Sequence, residues 1–368
     1  MFIGVCGSIC AGKSTVAQYL VDHHGFTQLY VSDQRLPSQK TTTNGADTQK
    51  EQDSVETQST SIAAEQANNR GLLPQRRKQH VFATADELLE FVTQRWRERW
   101  VTDDIFSEAV LDMYARRPFF LLISVDAPLT VRWRRYCNRP NNNTTTTTTT
   151  TTLEKFALLS DDALYSTKTG LLPLISRATV RLLNTSDSLA HLYATLGTLD
   201  LLNPDRLRPS WDSYFMSLAS LAAQRSNCMK RRVGCVVVRD KRVVSTGYNG
   251  TPRGLRNCGE GGCGRCNEGQ GSGHGLATCL CIHAEENALL EAGRERLRDG
   301  NAVLYCDTCP CLTCSIKIVQ VGVSEVVYSQ GYSMDGETAA VFREAGVRLR
   351  QFVPPAKGLI HLEKLQLY

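Results

Sequence analysis

His283, with Glu285 two residues on, and a Pro310-Cys311-Leu312-Thr313-Cys314 turn further downstream constrain this 368-residue chain more than any other feature. An imidazole and two thiols this far apart serve one ion only if the fold brings the starts of two segments together. His283 opens the run His283-Ala284-Glu285-Glu286-Asn287-Ala288-Leu289-Leu290, and Cys311 and Cys314 open another. Both runs read as helices, so the donors fall at helix N-termini, where free N–H groups and the dipole favour thiolate over thiol. Three protein ligands leave zinc a fourth position for water, the arrangement of reactive sites. Glu285 is not a ligand and is placed to move that water's proton. Two other readings compete. Cys306 or Cys309 could close the site as a fourth ligand, and Glu286 could replace Glu285 as the base. The histidine-to-glutamate spacing of two favours Glu285.

Composition narrows the setting. A net charge of +5 is modest for this length, and no long Lys/Arg run asks for a nucleic acid. No apolar stretch approaches the ~20 residues of a membrane helix, and the N-terminus lacks a cationic segment followed by an apolar one. A soluble cytoplasmic protein is expected, with the nucleus as the other compartment, and neither membrane nor nucleic acid as partner. Of 14 cysteines, most fall between Cys228 and Cys314. In a reducing compartment such crowding reads as metal ligation before disulfides.

The chain divides into zones. Residues 1–202 carry strand and helix patterns, interrupted at 36–79 by a Thr/Gln/Asn/Ser-rich stretch and at 141–152 by a poly-Thr tract. Both read as disordered or low-complexity insertions, too poor in apolar residues to offset their conformational entropy. Residues 203–209, with Pro204 and Pro209, read as a linker. From 210 to 368, helices are expected at Trp211 to Ala223, Ala284 to Ala292 and Cys311 to Val321. Strands are expected at Val233 to Val238, Val243 to Gly247, Val303 to Cys306 and Glu325 to Tyr328. A hairpin followed by βαβ units predicts an α/β fold, a three-layer α/β/α sandwich.

The H-x-E…P-C-x-x-C pattern is the signature of zinc-dependent nucleobase deaminases. With Ser226-Asn227-Cys228, Arg232-Val233-Gly234-Cys235-Val236-Val237, Gly247-Tyr248-Asn249-Gly250-Thr251-Pro252-Arg253 and the run Cys306 to Cys314, residues 210 onward resemble the deoxycytidylate (dCMP) deaminases, the fungal ones in particular. These belong to the zinc-dependent cytidine/deoxycytidylate deaminase family. The resemblance implies hydrolysis of dCMP to dUMP and ammonia by a zinc-activated water, supplying dUMP for thymidylate synthesis. It implies His283, Cys311 and Cys314 as metal ligands and Glu285 as the catalytic base. It further implies activation by dCTP, inhibition by dTTP and a homo-oligomer, often a hexamer. Asn249 falls where such enzymes contact the substrate sugar, and Tyr332 near a tyrosine that touches its phosphate. A turn asparagine and a packed aromatic are the alternatives.

Between Asn249 and His283 lies a Gly/Cys-rich insertion containing Cys263-Gly264-Arg265-Cys266. Some dCMP deaminases hold a second, structural zinc with a cysteine matching Cys228 and one near Cys258. A second zinc is expected here, its ligands drawn from Cys228, Cys258, Cys263, Cys266, Cys279 and Cys281, with no choice of four among them.

At the front, Gly7-Ser8-Ile9-Cys10-Ala11-Gly12-Lys13-Ser14 fits the phosphate-loop pattern between a strand and a helix. Its N–H groups would cradle phosphates, Lys13 would reach the outer phosphate oxygens, and Ser14 would ligate Mg²⁺ beside a nucleotide. With Ser32-Asp33, Ile123-Ser124-Val125-Asp126-Ala127-Pro128-Leu129 and Arg181-Leu182-Leu183-Asn184-Thr185-Ser186, this half resembles P-loop dephospho-coenzyme A kinase-like domains. It departs from them where the Thr/Gln insertion follows Asp33 and poly-Thr interrupts the lid region. Nucleotide binding without turnover, a purely structural domain and an active kinase all stay open. For the whole chain, the alternatives to a dCMP deaminase are a polynucleotide cytidine/adenosine deaminase and a small-substrate kinase with a zinc-binding regulatory domain.

Overall fold

The structure is a computed structural model and describes residues 1–32, 80–138, 152–186, 188–269, 271, 274–297, 300–331, 335–353 and 358–362. The insertion read at 36–79 lies outside these residues. So does the poly-Thr tract except Thr152, whose hydroxyl caps the Leu153–Tyr165 helix by accepting from the Lys155 N–H at 3.3 Å. The chain forms two compact units, residues 1–203 with 356–368, and residues 204–355. No described helix is long and apolar enough to cross a membrane.

The first unit is built on a sheet ordered β13-β7-β6-β1-β5-β2. Its strands are β1 (Phe2–Gly7), β2 (Thr27–Gln28), β5 (Trp100–Thr102), β6 (Phe120–Asp126), β7 (Val180–Leu183) and β13 (Gly358–His361), all paired in parallel. The short strands β3 (Tyr30–Val31) and β4 (Val81–Phe82) pair with each other. β1 and most of β6 are buried, as expected of near-continuous apolar strands in a parallel sheet. β13 departs from the sequence reading, which gave everything from 210 to 368 to the second domain. Gly358 to His361 pair with Val180 to Leu183 in the first unit's sheet, covering an otherwise open strand edge.

The second unit carries the sheet β12-β11-β10-β8-β9. The strands are β8 (Gly234–Arg239), β9 (Arg242–Tyr248), β10 (Ala302–Thr308), β11 (Glu325–Gln330) and β12 (Arg348–Gln351). β8 and β9 form a hairpin whose two central residues, Asp240 and Lys241, hold φ of 50° and 60°. That backbone matches the right-handed twist of the flanking strands. β8 and β10 are antiparallel, whereas β10, β11 and β12 run parallel. The Trp211–Ala223 helix covers one face through Phe215, Met216 and Ala219 on Val236, Val238, Tyr305 and Val327. The Ala284–Ala292, Leu312–Val321 and Asp335–Glu344 helices cover the other, where Ala284, Ala288, Ile318 and Phe342 meet Val237, Leu304 and Val326. The alternation of side chains along β8 and β10 feeds both cores, giving the expected α/β/α layering. The final helix and β12 had not been individually anticipated.

At one end of this sheet, Arg350 forks onto Asp212 with bonds of 2.7 and 3.1 Å and donates Nε to Glu325 at 3.0 Å. The Tyr305 hydroxyl adds a bond to Asp212 at 2.9 Å. The Arg350 bonds hold the Asp212 carboxyl below its ordinary value of 3.8. A depressed carboxylate contributes stability above its unfolded pKa and loses it as pH falls through the folded value. Asp212→Ala is therefore expected to cost about 1.5–3 kcal/mol near neutral pH. That deficit should shrink as the pH drops below about 4, which thermal melts of both proteins across this range would read. A deficit independent of pH would assign it to packing instead.

Candidate active site

The Ala284–Ala292 and Leu312–Val321 helices begin side by side, and their N-caps are His283 and Cys311. His283 Nδ1 lies 3.3 Å from Cys311 Sγ and 3.4 Å from Cys314 Sγ. A tetrahedral zinc with bonds of ~2.0 Å to nitrogen and ~2.3 Å to sulfur sets such donors about 3.5 Å apart. The three side chains therefore fit zinc as they stand. Hydrogen bonding from Cys314 and then His283 pulls the Cys311 thiol down to about 4, so this sulfur is poised as a thiolate ligand.

Among the described residues, the grouping holds these three donors and no fourth. Cys306, one of the competing fourth ligands, is fully buried opposite Cys235 in the core beneath the helices and lies outside the donor grouping. Cys309 donates its backbone N–H to the Gln330 carbonyl at 2.9 Å and lies outside the donor grouping. Glu285 sits in the first turn after His283 and is 4% exposed. Burial pushes its carboxyl up to about 7, and a cation beside it would favour the ionised form. Glu286, the rival base, is tied to Lys317 Nζ at 2.7 Å.

Two glycines let the helices approach the sheet. A Cβ at Gly247 would lie 2.2 Å from the Ala284 carbonyl oxygen and 2.4 Å from the Ala288 nitrogen. A Cβ at Gly234 would lie 2.0 Å from the Ala219 carbonyl oxygen on the other face. Gly247→Ala must therefore displace the helix that carries His283 and Glu285. Turnover is expected to fall roughly 10²-fold, the scale of an ångström-sized misplacement, with far-ultraviolet circular dichroism unchanged. Unchanged kinetics would show that the helix start is not held by this contact.

Residues without a signature buttress the ligand turn. Thr338, fully buried in the last helix, donates to the Pro310 carbonyl at 2.9 Å, and Ser315 donates to the Cys311 carbonyl at 2.9 Å. Asn249 is 9% exposed and clasps the 226–233 stretch between the Trp211–Ala223 helix and β8. Its oxygen accepts from Ser226 Oγ at 2.7 Å and the Val233 N–H at 2.9 Å, and its amide donates to the Arg231 carbonyl at 2.7 Å. One amide N–H remains beyond those bonds. Tyr332 lies outside the described residues.

All six cysteines expected around a second zinc come together. Cys228, Cys258, Cys266 and Cys281 form one grouping, and Cys263, Cys266, Cys279 and Cys281 form another.

In the first unit, Gly7 ends β1 and Gly12 precedes the Lys13–His24 helix. Lys13 Nζ bonds the carbonyls of Gly7 at 3.0 Å and Ser8 at 3.2 Å, folding back over the loop. Ser14 Oγ donates to Asp103 Oδ2 at 2.7 Å, just past β5. In P-loop NTPases a loop serine and an aspartate from a neighbouring strand hold Mg²⁺ together. Asp103 carried no local signal, because only the sheet order brings it to Ser14. Arg135 and Asn184 anchor the loop from behind through the Ala11 carbonyl, at 3.1 and 2.9 Å.

Residues 209–330 match the family model of the cytidine and deoxycytidylate deaminase zinc-binding region, and residues 3–154 match an AAA domain. The deoxycytidylate deaminase of Schizosaccharomyces pombe is 46% identical over 97% of this chain and 99% of its own length. That of Saccharomyces cerevisiae is 49% identical over 73% of this chain and 85% of its own. Among solved structures, the dCMP deaminase of cyanophage S-TIM5 in complex with dCMP and dUMP is 29% identical. The match covers 39% of this chain and 98% of that one at a TM-score of 0.33. A phosphate-loop α/β unit joined to a zinc-binding deaminase unit is thus the class that fold and matched families define. The chain belongs to the deoxycytidylate deaminase family.

Proposed function

We propose that the protein hydrolyses dCMP to dUMP and ammonia, supplying dUMP for thymidylate synthesis. The observation that carries this is the convergence of His283, Cys311 and Cys314 beside buried Glu285, in a chain aligned almost end to end with a deoxycytidylate deaminase. Those three side chains would hold a zinc ion, which would supply the Lewis acidity that makes water a nucleophile at neutral pH. Glu285 takes one proton of the water that attacks C4 of the pyrimidine and passes it to the ring nitrogen, then takes the remaining proton from the new C4 hydroxyl and delivers it to the leaving amino group. The buried setting keeps this carboxyl able to accept and return a proton. Water's oxygen ends on C4, and ammonia departs. Asn249 is assigned to the sugar through its remaining amide N–H, and Tyr332 to the phosphate.

The test is turnover of dCMP, CMP, dCTP, deoxyadenosine monophosphate and a single-stranded oligonucleotide, followed by ultraviolet absorbance and ammonia release. Preference for free dCMP supports the assignment, whereas preference for the oligonucleotide moves it to polynucleotide editing. Regulation belongs to the same proposal, with dCTP activating, dTTP inhibiting and the chain assembling as a homo-oligomer, a hexamer by family resemblance. The phosphate-loop unit is assigned to binding a nucleotide with Mg²⁺ on Lys13, Ser14 and Asp103. ATP binding by the full chain, read by calorimetry, is expected to weaken at least about tenfold in Lys13→Ala, which removes a charge-assisted phosphate contact. Equal binding by both proteins would make this unit structural.

A further inference from the structure

We propose that the cysteine insertion holds a binuclear zinc cluster of six thiolates, bridged by Cys266 and Cys281, in addition to the zinc at His283, Cys311 and Cys314. Two tetrahedral ions ask for eight thiolate positions, and two shared sulfurs reduce the need to six. The two cysteine groupings have that composition, since Cys266 and Cys281 belong to both. Cys228 and Cys258 complete one tetrahedron, and Cys263 and Cys279 the other.

The spacing suits tetrahedral edges. With Zn–S bonds of ~2.3 Å, neighbouring sulfurs lie about 3.8 Å apart. Cys228–Cys266 is 3.8 Å, Cys266–Cys279 3.9 Å, Cys263–Cys279 4.0 Å and Cys266–Cys281 4.0 Å. A disulfide needs ~2.05 Å, and all six thiols are free. A single four-thiolate zinc would leave two further buried or half-buried thiols against its sulfurs with nothing to ligate.

The surroundings are those of thiolates. The Met229 N–H reaches Cys258 Sγ and the Leu280 N–H reaches Cys263 Sγ, each at 3.4 Å, and Arg265 Nη1 lies 3.6 Å from Cys279 Sγ. The two backbone donors fall on terminal sulfurs, whose spare lone pairs a bridging sulfur would spend on a second ion. Arg265 is 8% exposed, and its guanidinium partly offsets the net negative charge that six thiolates and two zinc ions would carry. Among the described residues, no aliphatic side chain joins the buried cluster, which consists of the cysteines themselves. Metal, not apolar contact, is then what folds this segment. Cys281 stands two residues before His283, and the Gly250–Ile282 bridge lies between them. The cluster thereby fixes the strand that delivers the catalytic histidine.

Metal content and ¹¹³Cd NMR of the full-length chain test the proposal. Elemental analysis with native mass spectrometry is expected to give three zinc ions per chain. After exchange with ¹¹³Cd, two all-sulfur resonances should show mutual coupling through the bridging thiolates. Cys263→Ser should lose one ion and Cys266→Ser two. Should Cys266→Ser fail to fold, the wild-type coupling decides. Two zinc ions per chain, uncoupled resonances or iron in place of zinc would overturn the cluster. Zinc loss in His283→Ala reports separately on the catalytic centre, because the coupled pair should survive it.

Discussion

Glu285→Gln is expected to lower kcat for dCMP by about 10²–10⁴-fold, the usual contribution of a positioned general base, with zinc content unchanged. Glutamine preserves the shape and leaves His283, Cys311 and Cys314 untouched, but it cannot take a proton from water. Glu285 is buried in the first turn of the helix that His283 caps, so no bulk buffer base can substitute for it. Glu286→Gln is the matched control. That carboxylate is engaged by Lys317 at 2.7 Å and is expected to matter only a few-fold. Steady-state kinetics with zinc analysis of both variants make the comparison. A Glu285→Gln enzyme within a few-fold of wild type would remove the carboxylate from the mechanism.

Cys311→Ala is expected to abolish turnover and release one zinc per chain while leaving the other thiolate-bound metal in place. Cys311 supplies one of three donors, and the two left cannot close a tight site. It also caps the Leu312–Val321 helix, but its side chain makes no capping bond, so the substitution costs coordination more than helix stability. Zinc-binding titration, dCMP turnover and circular dichroism separate the two effects. Retained zinc with lost activity would contradict ligation by Cys311. Loss of the helical signal would assign it a folding role.

The grouping of His283, Cys311 and Cys314 was legible because each half of it is local. A histidine followed by an apolar-periodic run, and a Pro-Cys-x-x-Cys opening another, place their donors at helix starts whatever the rest of the chain does. The Trp211–Ala223 and Ala284–Ala292 helices fell where the spacing of apolar residues put them, the first capped by Ser210. The hairpin turn at Asp240 and Lys241 was equally local. What sequence left open depends on contacts between distant segments. The six cysteines could be named but not partitioned, since Cys228 precedes Cys266 by 38 residues and only packing sets their sulfurs 3.8 Å apart. Thr338 supports the Pro310 carbonyl across 28 residues, and Asp103 meets Ser14 across 89, with no motif marking either. β13 crosses back to the first sheet, which pattern alone cannot reveal because a four-residue strand carries no address.

A crystal structure of zinc-loaded Glu285→Gln protein with dCMP tests the central claim most directly. It should show zinc on His283, Cys311 and Cys314 alone among protein donors, with the pyrimidine C4 about 3–3.5 Å from the remaining ligand position, the range of a near-attack geometry. A fourth protein sulfur on that zinc, or dCMP bound elsewhere, would contradict it.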